Sequence, residues 1–354
     1  MKKIVVTLII SAFFFSLGFS WYVWDHFVNR PASDSKEEVI FEVAPGKSFK
    51  AVAKELEIKG LVKSSELFTL FARIKNEGGK IKVGEYLLTK NMTPSGVMAV
   101  ITSGKSIERK ITISEGLSIY EIADIFEQAE ISKREDFLKL VQDPELIKSL
   151  IGEGYRSLEG YLFPETYSFT KYTGIKAIVT EMVKKFQAVY KEIEPAASKV
   201  PLSKHQIVTL ASIIEKETGA PQERPMISSV FHNRLDKGMR LQTDPTIIYG
   251  KALQSQKIEI KISKTDITTP TEYNTYVIKG LPPGPIANPG KEALLAAVSP
   301  AQSDYLFFVS QNDGTHIFSK DYGAHQKAVG KFQVDPKSRQ GKSWRDLSKK
   351  KSQN

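Results

Sequence analysis

The sequence predicts an α+β protein with three parts: an N-terminal membrane-spanning helix, a small β-α-α-β module, and a larger domain of mixed α/β character. Three observations point there. Residues 4–24 carry no charge. Strand-like and helix-like hydrophobic patterns then alternate over residues 39–105. Beyond residue 150, helical segments are separated by long connections rich in aromatic residues and proline. With 354 residues and 41% hydrophobic content, the chain has material for more than one sizeable core.

The first element is IVVTLIISAFFFSLGFSWYVW, Ile4 to Trp24. It matches the roughly 20 residues that cross a bilayer. Lys2 and Lys3 lie in the preceding tip, residues 1–3, and Asp25 follows the run. The positive-inside rule therefore keeps the tip cytoplasmic and sends the rest outward. The expected location is the inner (cytoplasmic) membrane, single-pass, with the bulk of the chain in the periplasm or otherwise outside the cytoplasm. Trp21, Tyr22 and Trp24 would sit at the outer interface. A cleaved signal peptide is the alternative, but the run is longer than a usual h-region and no A-x-A-like site follows it. The chain has no cysteine, which permits an oxidising compartment and removes thiolate chemistry. The formal net charge of +10 suits an anionic or polyhydroxylated polymer; the outward topology argues against nucleic acid. Residues 337–354, ending in SWRDLSKKKSQN, read as a solvated basic tail.

Residues 25–38, with the polar NRPASDSKEE, read as a linker. In residues 39–105, VIFEV reads as a strand and PGKSFKAVAKELE as a turn followed by a helix capped by Ser48. SSELFTLFARI gives a second capped helix and KVGEYLLT a closing strand. This order resembles the LysM module, a small fold associated with glycans that contain N-acetylglucosamine. In residues 106–150, ITISEGLSIYEIADIFE repeats FEVAPGKSFKAVAKELE at an offset of 70 without a gap. The repeat reads as a second strand-turn-helix unit, although any capped amphipathic helix after a strand carries such a pattern.

Residues 151–336 form the expected large domain. Its connections carry Tyr, Asn, Thr, Gln and Pro, the groups a cleft for a polar ligand needs. The histidines His26, His205, His232, His316 and His325 show no H-E-x-x-H spacing, so no metal site is expected. APGKS lacks the first glycine of a P-loop, because Phe41 stands there, and no G-x-S-x-G elbow occurs.

The stretch LASIIEKETG places Glu215 and Glu217 around Lys216 at the end of an apolar helical run. At about 100° per residue, Ile207, Leu210, Ala211 and Ile214 mark one buried face and the two glutamates flank it. Glu217 lies over Ile213 and Ile214, whereas Glu215 lies over Ala211 and Ser212, so Glu217 has the more apolar seat. An apolar seat raises a carboxyl pKa, which lets a glutamic acid keep a proton near neutral pH and protonate a glycosidic oxygen. The ordinary alternative is a pair of solvated glutamates near a helix end closed by Gly219.

LASIIEKETG, VFHNRLDKGMRLQTDPTIIYG, TPTEYNTYVIKGLPPGPIANPG and LEGYLFPETY together resemble the endolytic murein (peptidoglycan lytic) transglycosylase family, also called YceG-like. The resemblance runs from the N-terminal segment to about residue 335. It implies a membrane-anchored enzyme that cuts peptidoglycan glycan strands internally, with a catalytic domain of distant lysozyme-like character. It places Glu217 in the acid position of an I-I-x-x-E-S-like pattern, with Thr218 where the pattern has serine. The implied mechanism joins MurNAc C1 to its own C6 oxygen, leaves 1,6-anhydro-MurNAc ends and sets strand length. It needs no cofactor, with Glu215 as a possible accessory acid. The resemblance also points to Tyr273, Asn274, Thr275, Tyr276, Gln242, Asp244 and Arg240 as substrate-binding candidates, and to peptidoglycan synthases as partners. Asp244 also suits a helix opening at Thr243-Asp244-Pro245, and YNTYVI suits a strand. Two rivals stand beside this reading. One is a cell-wall binding scaffold without catalysis. The other is a hydrolysing muramidase, which needs a second carboxylate about 5 to 9.5 Å away; Asp244, Glu165 and Glu159 are its candidates.

Overall fold

A computed structural model describes residues 2–217 and 220–334, with side chains from residue 10 onward. The architecture is mixed α/β and divides into two compact units. Among the described residues, the first comprises those up to 110 together with 168–173, and the second comprises 111–167 and those from 174 to 334.

The first unit opens with α1 (Lys2–Val28). Phe13, Phe14 and Phe15 of this helix are exposed, whereas Phe27 and Val28 are buried in the unit's core. Among the described residues no helix is long and apolar enough to cross a membrane. Residues 4–9 of the expected span lie outside the residues whose side chains are described. The expected linker begins later than its sequence implied. Asp25–Val28 remain helical because Phe27 and Val28 reach apolar partners, and Trp24 packs against Phe71 at 5.8 Å between ring centres.

β1 (Glu38–Val43), α2 (Phe49–Ile58), α3 (Ser65–Ile74) and β2 (Gly84–Thr89) follow in the expected β-α-α-β order. β1 and β2 pair antiparallel, with Phe41 opposite Tyr86 on the buried face. Ser48 and Ser64 cap α2 and α3 by accepting from the backbone N–H groups of Ala51 and Leu67. α4 (Pro94–Ser103) closes the core with Val97, Met98 and Ile101. Residues 168–173, expected in the large domain, belong to this unit. Lys171 Nζ meets Glu42 at 2.8 Å, and the Tyr172 hydroxyl donates to the same carboxylate.

β3 (Arg109–Thr112) leads into the second unit, where α5 (Ile119–Gln128) repeats α2 at the same offset of 70. Gly46 and Gly116 adopt φ of 77° and 76° in the two turns, a region that only glycine enters without strain. Ser118 and Glu121 complete a capping box on α5. α6 (Arg134–Val141), α7 (Pro144–Ile151), β4 (Thr166–Phe169) and α8 (Ile175–Ala197) precede α9 (Lys204–Glu217). α9 does not have the single buried stripe that its periodicity predicts: every residue from Ile207 to Ile214 is buried. The reason is its central position, with α13, α10 and α11 packed around it.

A 3₁₀ turn (Pro221–Glu223) leads to α10 (Arg224–Asp236), α11 (Asp244–Ser255), α12 (Lys264–Thr268) and α13 (Lys291–Val298). The hairpin β5 (Phe307–Ser310) and β6 (His316–Ser319) precedes α14 (Tyr322–Val329) and a π turn to Val334. The LPPGPIANPG segment lies across α9, where the Ile286 N–H donates to Ser212 Oγ at 3.0 Å. A Cβ at Gly160 would fall 2.5 Å from Pro285, so only glycine admits this crossing. YNTYVI forms turns instead of a strand, because Asn274 Nδ2 binds the carbonyls of Asp266, Ile267 and Thr269. Thr218, Gly219 and the expected basic tail lie outside the described residues.

Candidate active site

The C-terminal end of α9 separates Glu215 and Glu217. Glu215 turns to the backbone and to a cation: Arg224 Nη2 donates to it at 2.7 Å, and the Gly290 N–H donates at 3.0 Å. Both side chains of that ion pair are nearly out of solvent, at 9% and 6% exposure. Glu115 Oε2 stands 3.7 Å from the same guanidinium. This carboxylate is committed to holding α9, α10 and the loop before α13 together.

Glu217 turns the other way, into a cleft of about 500 Å³. Gln242, Asp244, Tyr276 and Arg234 line it with Glu217, and Phe307, Phe308 and His325 form the apolar wall. Burial pushes the Glu217 carboxyl up to about 7, and the nearby Asp244 charge adds to the rise. The Thr243 hydroxyl and the Arg234 guanidinium act the opposite way. Thr243 occupies the N-cap position of α11, yet its hydroxyl makes no cap bond and donates to Glu217 Oε1. The helix opening at Thr243-Asp244-Pro245 thus serves the carboxyl. Asp244 is exposed at the first position of α11 and accepts from the Tyr276 hydroxyl at 2.8 Å.

Arg234 is buried, with Nε on the Leu306 carbonyl at 2.6 Å and Nη1 on the Leu241 carbonyl at 2.7 Å. It ties the hairpin to the loop that carries Gln242. Its guanidinium lies over the Phe307 ring at 5.2 Å, and His325 stacks on that ring at 5.0 Å between centres. Burial lowers the His325 pKa, with the Arg234 charge adding to the effect, so the imidazole is neutral near pH 7.

The structure therefore brings four of the sequence candidates to one cleft: Glu217, Gln242, Asp244 and Tyr276. Tyr273, Asn274 and Thr275 are buried instead. Tyr273 packs on Tyr249 at 5.1 Å, and Thr275 Oγ1 receives the Thr243 N–H at 3.0 Å. They shape the segment beneath Tyr276. Arg240 is exposed, and its carbonyl receives Arg234 Nη1 at 3.3 Å. Of the other carboxylates, Glu165 pairs with Lys185 at 2.7 Å. Glu159 is 2% exposed and accepts from the Ile119 N–H and from Asn288. Sequence reasoning did not select Thr243, Arg234, Phe307 or His325. Thr243 reads as a cap, and Phe307 sits in an ordinary apolar strand. Arg234 could have been found as a charge on a helix whose neighbours Val230 and Phe231 are apolar.

The model of the YceG-like family matches residues 41–331. An endolytic murein transglycosylase of Bacillus subtilis is 34% identical over 315 residues, covering 84% of this chain and 86% of the relative. One from Streptococcus pneumoniae D39 is 31% identical over 341 residues, and the match spans 87% of this chain and 60% of that protein. The crystal structure of a putative YceG-like protein from Listeria monocytogenes, 35% identical, superposes with a TM-score of 0.57 over 83% of this chain and all of that one. With a match that spans most of both units, the chain belongs to the YceG-like family.

Proposed function

We propose that this chain is a lytic transglycosylase that cuts peptidoglycan glycan strands internally, with Glu217 as both acid and base. The observation that carries the reading is a glutamic acid held up to about 7 by burial while it faces an open cleft. The names of the relatives support the substrate class. Protonated Glu217 gives its proton to the oxygen between MurNAc C1 and GlcNAc, and that C1–O bond breaks. The resulting carboxylate takes the proton of the C6 hydroxyl, whose oxygen closes onto C1. The ends are a 1,6-anhydro-MurNAc and a free GlcNAc 4-hydroxyl, with no water consumed. The Thr243 hydrogen bond and the Arg234 charge steady the carboxylate between the two steps. Gln242, Asp244 and Tyr276 present polar groups to the sugars.

Further parts of the proposal rest on the sequence. The uncharged run of residues 4–24 supports a single-pass anchor in the cytoplasmic membrane, with both units outside the cytoplasm. The β1-α2-α3-β2 order supports a LysM-like glycan-binding module. Cleavage of nascent strands beside membrane-embedded synthases, setting strand length, follows from the family resemblance.

Product analysis tests the reading. Purified protein incubated with uncrosslinked glycan strands is expected to yield anhydro-MurNAc ends by mass spectrometry. Reducing MurNAc ends would overturn it in favour of hydrolysis, with Asp244 as the second carboxylate because it lies on the cleft with Glu217. No cleavage would favour the binding scaffold.

A further inference from the structure

In the first unit α3 separates two adjoining grooves that share Leu70. On one side Leu67 and Leu70 face Phe19, Val23 and Trp24 of α1, lining an apolar groove of about 260 Å³. On the other side Leu70 borders a groove of about 500 Å³ lined by Lys50, Lys54, Arg73 and Glu66. Lys54 is paired with Glu57 at 2.6 Å, and Glu66 accepts from Ser64 Oγ at 3.1 Å. Among the described residues Lys50 and Arg73 form no ion pair, and both are exposed. Apolar and cationic surfaces thus meet at one residue, beside a helix whose Phe15 and Phe19 rings stack 6.5 Å apart on its exposed side.

We propose that this double groove binds one anionic phospholipid, its phosphate on Lys50 and Arg73 and one acyl chain between α1 and α3. The charge complementarity selects an anionic head. A guanidinium and an ammonium with no carboxylate partner match a phosphate diester, and a zwitterionic head brings its own cation against them. The apolar groove selects a chain, because Leu67, Val23 and Trp24 offer contact to methylenes and nothing to a free anion. Phe15 and Phe19 continue that surface along α1 for the rest of the chain. The inference rests on the anchor reading, since an anchored unit meets lipid at this face. Its consequence is orientation: a bound lipid fixes the rotation of the first unit about α1 relative to the bilayer.

Native mass spectrometry of the full chain in non-ionic detergent tests it, with dioleoyl phosphatidylglycerol and dioleoyl phosphatidylcholine added in equal amounts. One retained phosphatidylglycerol is expected, favoured by about thirtyfold, the scale set by two juxtamembrane basic residues. The Lys50→Gln/Arg73→Gln variant should bring the two lipids to parity, and Leu70→Gln should reduce retention of both. Equal retention by the unaltered protein overturns the proposal. Displacement of phosphatidylglycerol by millimolar inorganic phosphate, with Leu70→Gln inert, would also overturn it by showing a free-anion site. Flotation with phosphatidylcholine vesicles examines the anchor separately. Loss of flotation sinks the anchor reading, whereas flotation without lipid preference sinks only the groove.

Discussion

Glu215 and Glu217 share a helix turn and a residue type, and they meet opposite surroundings. Around Glu215 the structure is closed: a buried guanidinium at 2.7 Å and a backbone N–H at 3.0 Å satisfy the carboxylate. Around Glu217 it is open on one side and apolar on the other, with a threonine hydroxyl as hydrogen-bond partner and an aspartate beside it. A carboxylate closed in by a guanidinium and a backbone N–H carries structure. A desolvated carboxyl at the edge of a cleft can hold a proton and release it. Position along the helix decides which role each takes, because a step of two residues moves a side chain by about 200° around the axis.

Glu217→Gln should lower the rate of strand cleavage by about 10² to 10⁴, the usual contribution of a positioned acid–base group, with no loss of folding stability at neutral pH. Glu215→Gln should do the reverse. It leaves the Arg224 charge buried with only Glu115 at 3.7 Å, and removing one partner of a buried ion pair costs about 3 to 5 kcal/mol, readable in urea denaturation. Cleavage per folded molecule should persist. If Glu215→Gln abolishes cleavage in protein shown to be folded, the division of labour is wrong.

Asn274→Ala probes a subtler contrast. Three backbone carbonyls lose their donor, so a destabilisation of about 1 to 3 kcal/mol is expected, with the Michaelis constant for glycan strands unchanged. A large rise in that constant with stability intact would return Asn274 to the substrate-binding set.

The smallest effects are shifts of the pH profile, and their signs differ. Glu217 must begin protonated, so cleavage should decline as pH rises through about 7. Thr243→Val removes a donor that favours the carboxylate, so this limb should move to higher pH. Asp244→Asn removes a neighbouring negative charge, so the limb should move to lower pH. Stability carries the same signature. The folded protein keeps the Glu217 proton up to about 7, whereas an unfolded carboxyl releases it near 4.5. Raising pH through that window therefore costs folding stability, and Glu217→Gln should remove this part of the slope.

Much of this was legible in the chain. The capped helices at Ser48, Ser64 and Ser118, the repeat at an offset of 70 and the β-α-α-β order follow from local rules of capping and periodicity. The apolar seat of Glu217 was readable from its i−3 and i−4 neighbours. What was not legible depends on contacts far along the chain. Arg224 and Gly290 claim Glu215 from other elements, and nothing near residue 215 announces them. The buried Tyr273, Asn274 and Thr275 look like ligand-binding polar residues because hydrogen bonds to a fold and to a sugar need the same chemistry. The wall formed by Phe307 and His325 is invisible in a strand and a helix of ordinary composition. α9 looked amphipathic because its sequence could not reveal that it is enclosed on all sides.

The proton on Glu217 can be followed by a carboxyl titration, using ¹³C NMR of protein labelled at the glutamate side-chain carboxyl, with the signal assigned by its loss in Glu217→Gln. Titration near 7, matching the pH at which cleavage declines, is the predicted result. A Glu217 signal that titrates at the ordinary carboxylate value of 4.5 while strands are still cleaved near neutral pH would contradict it.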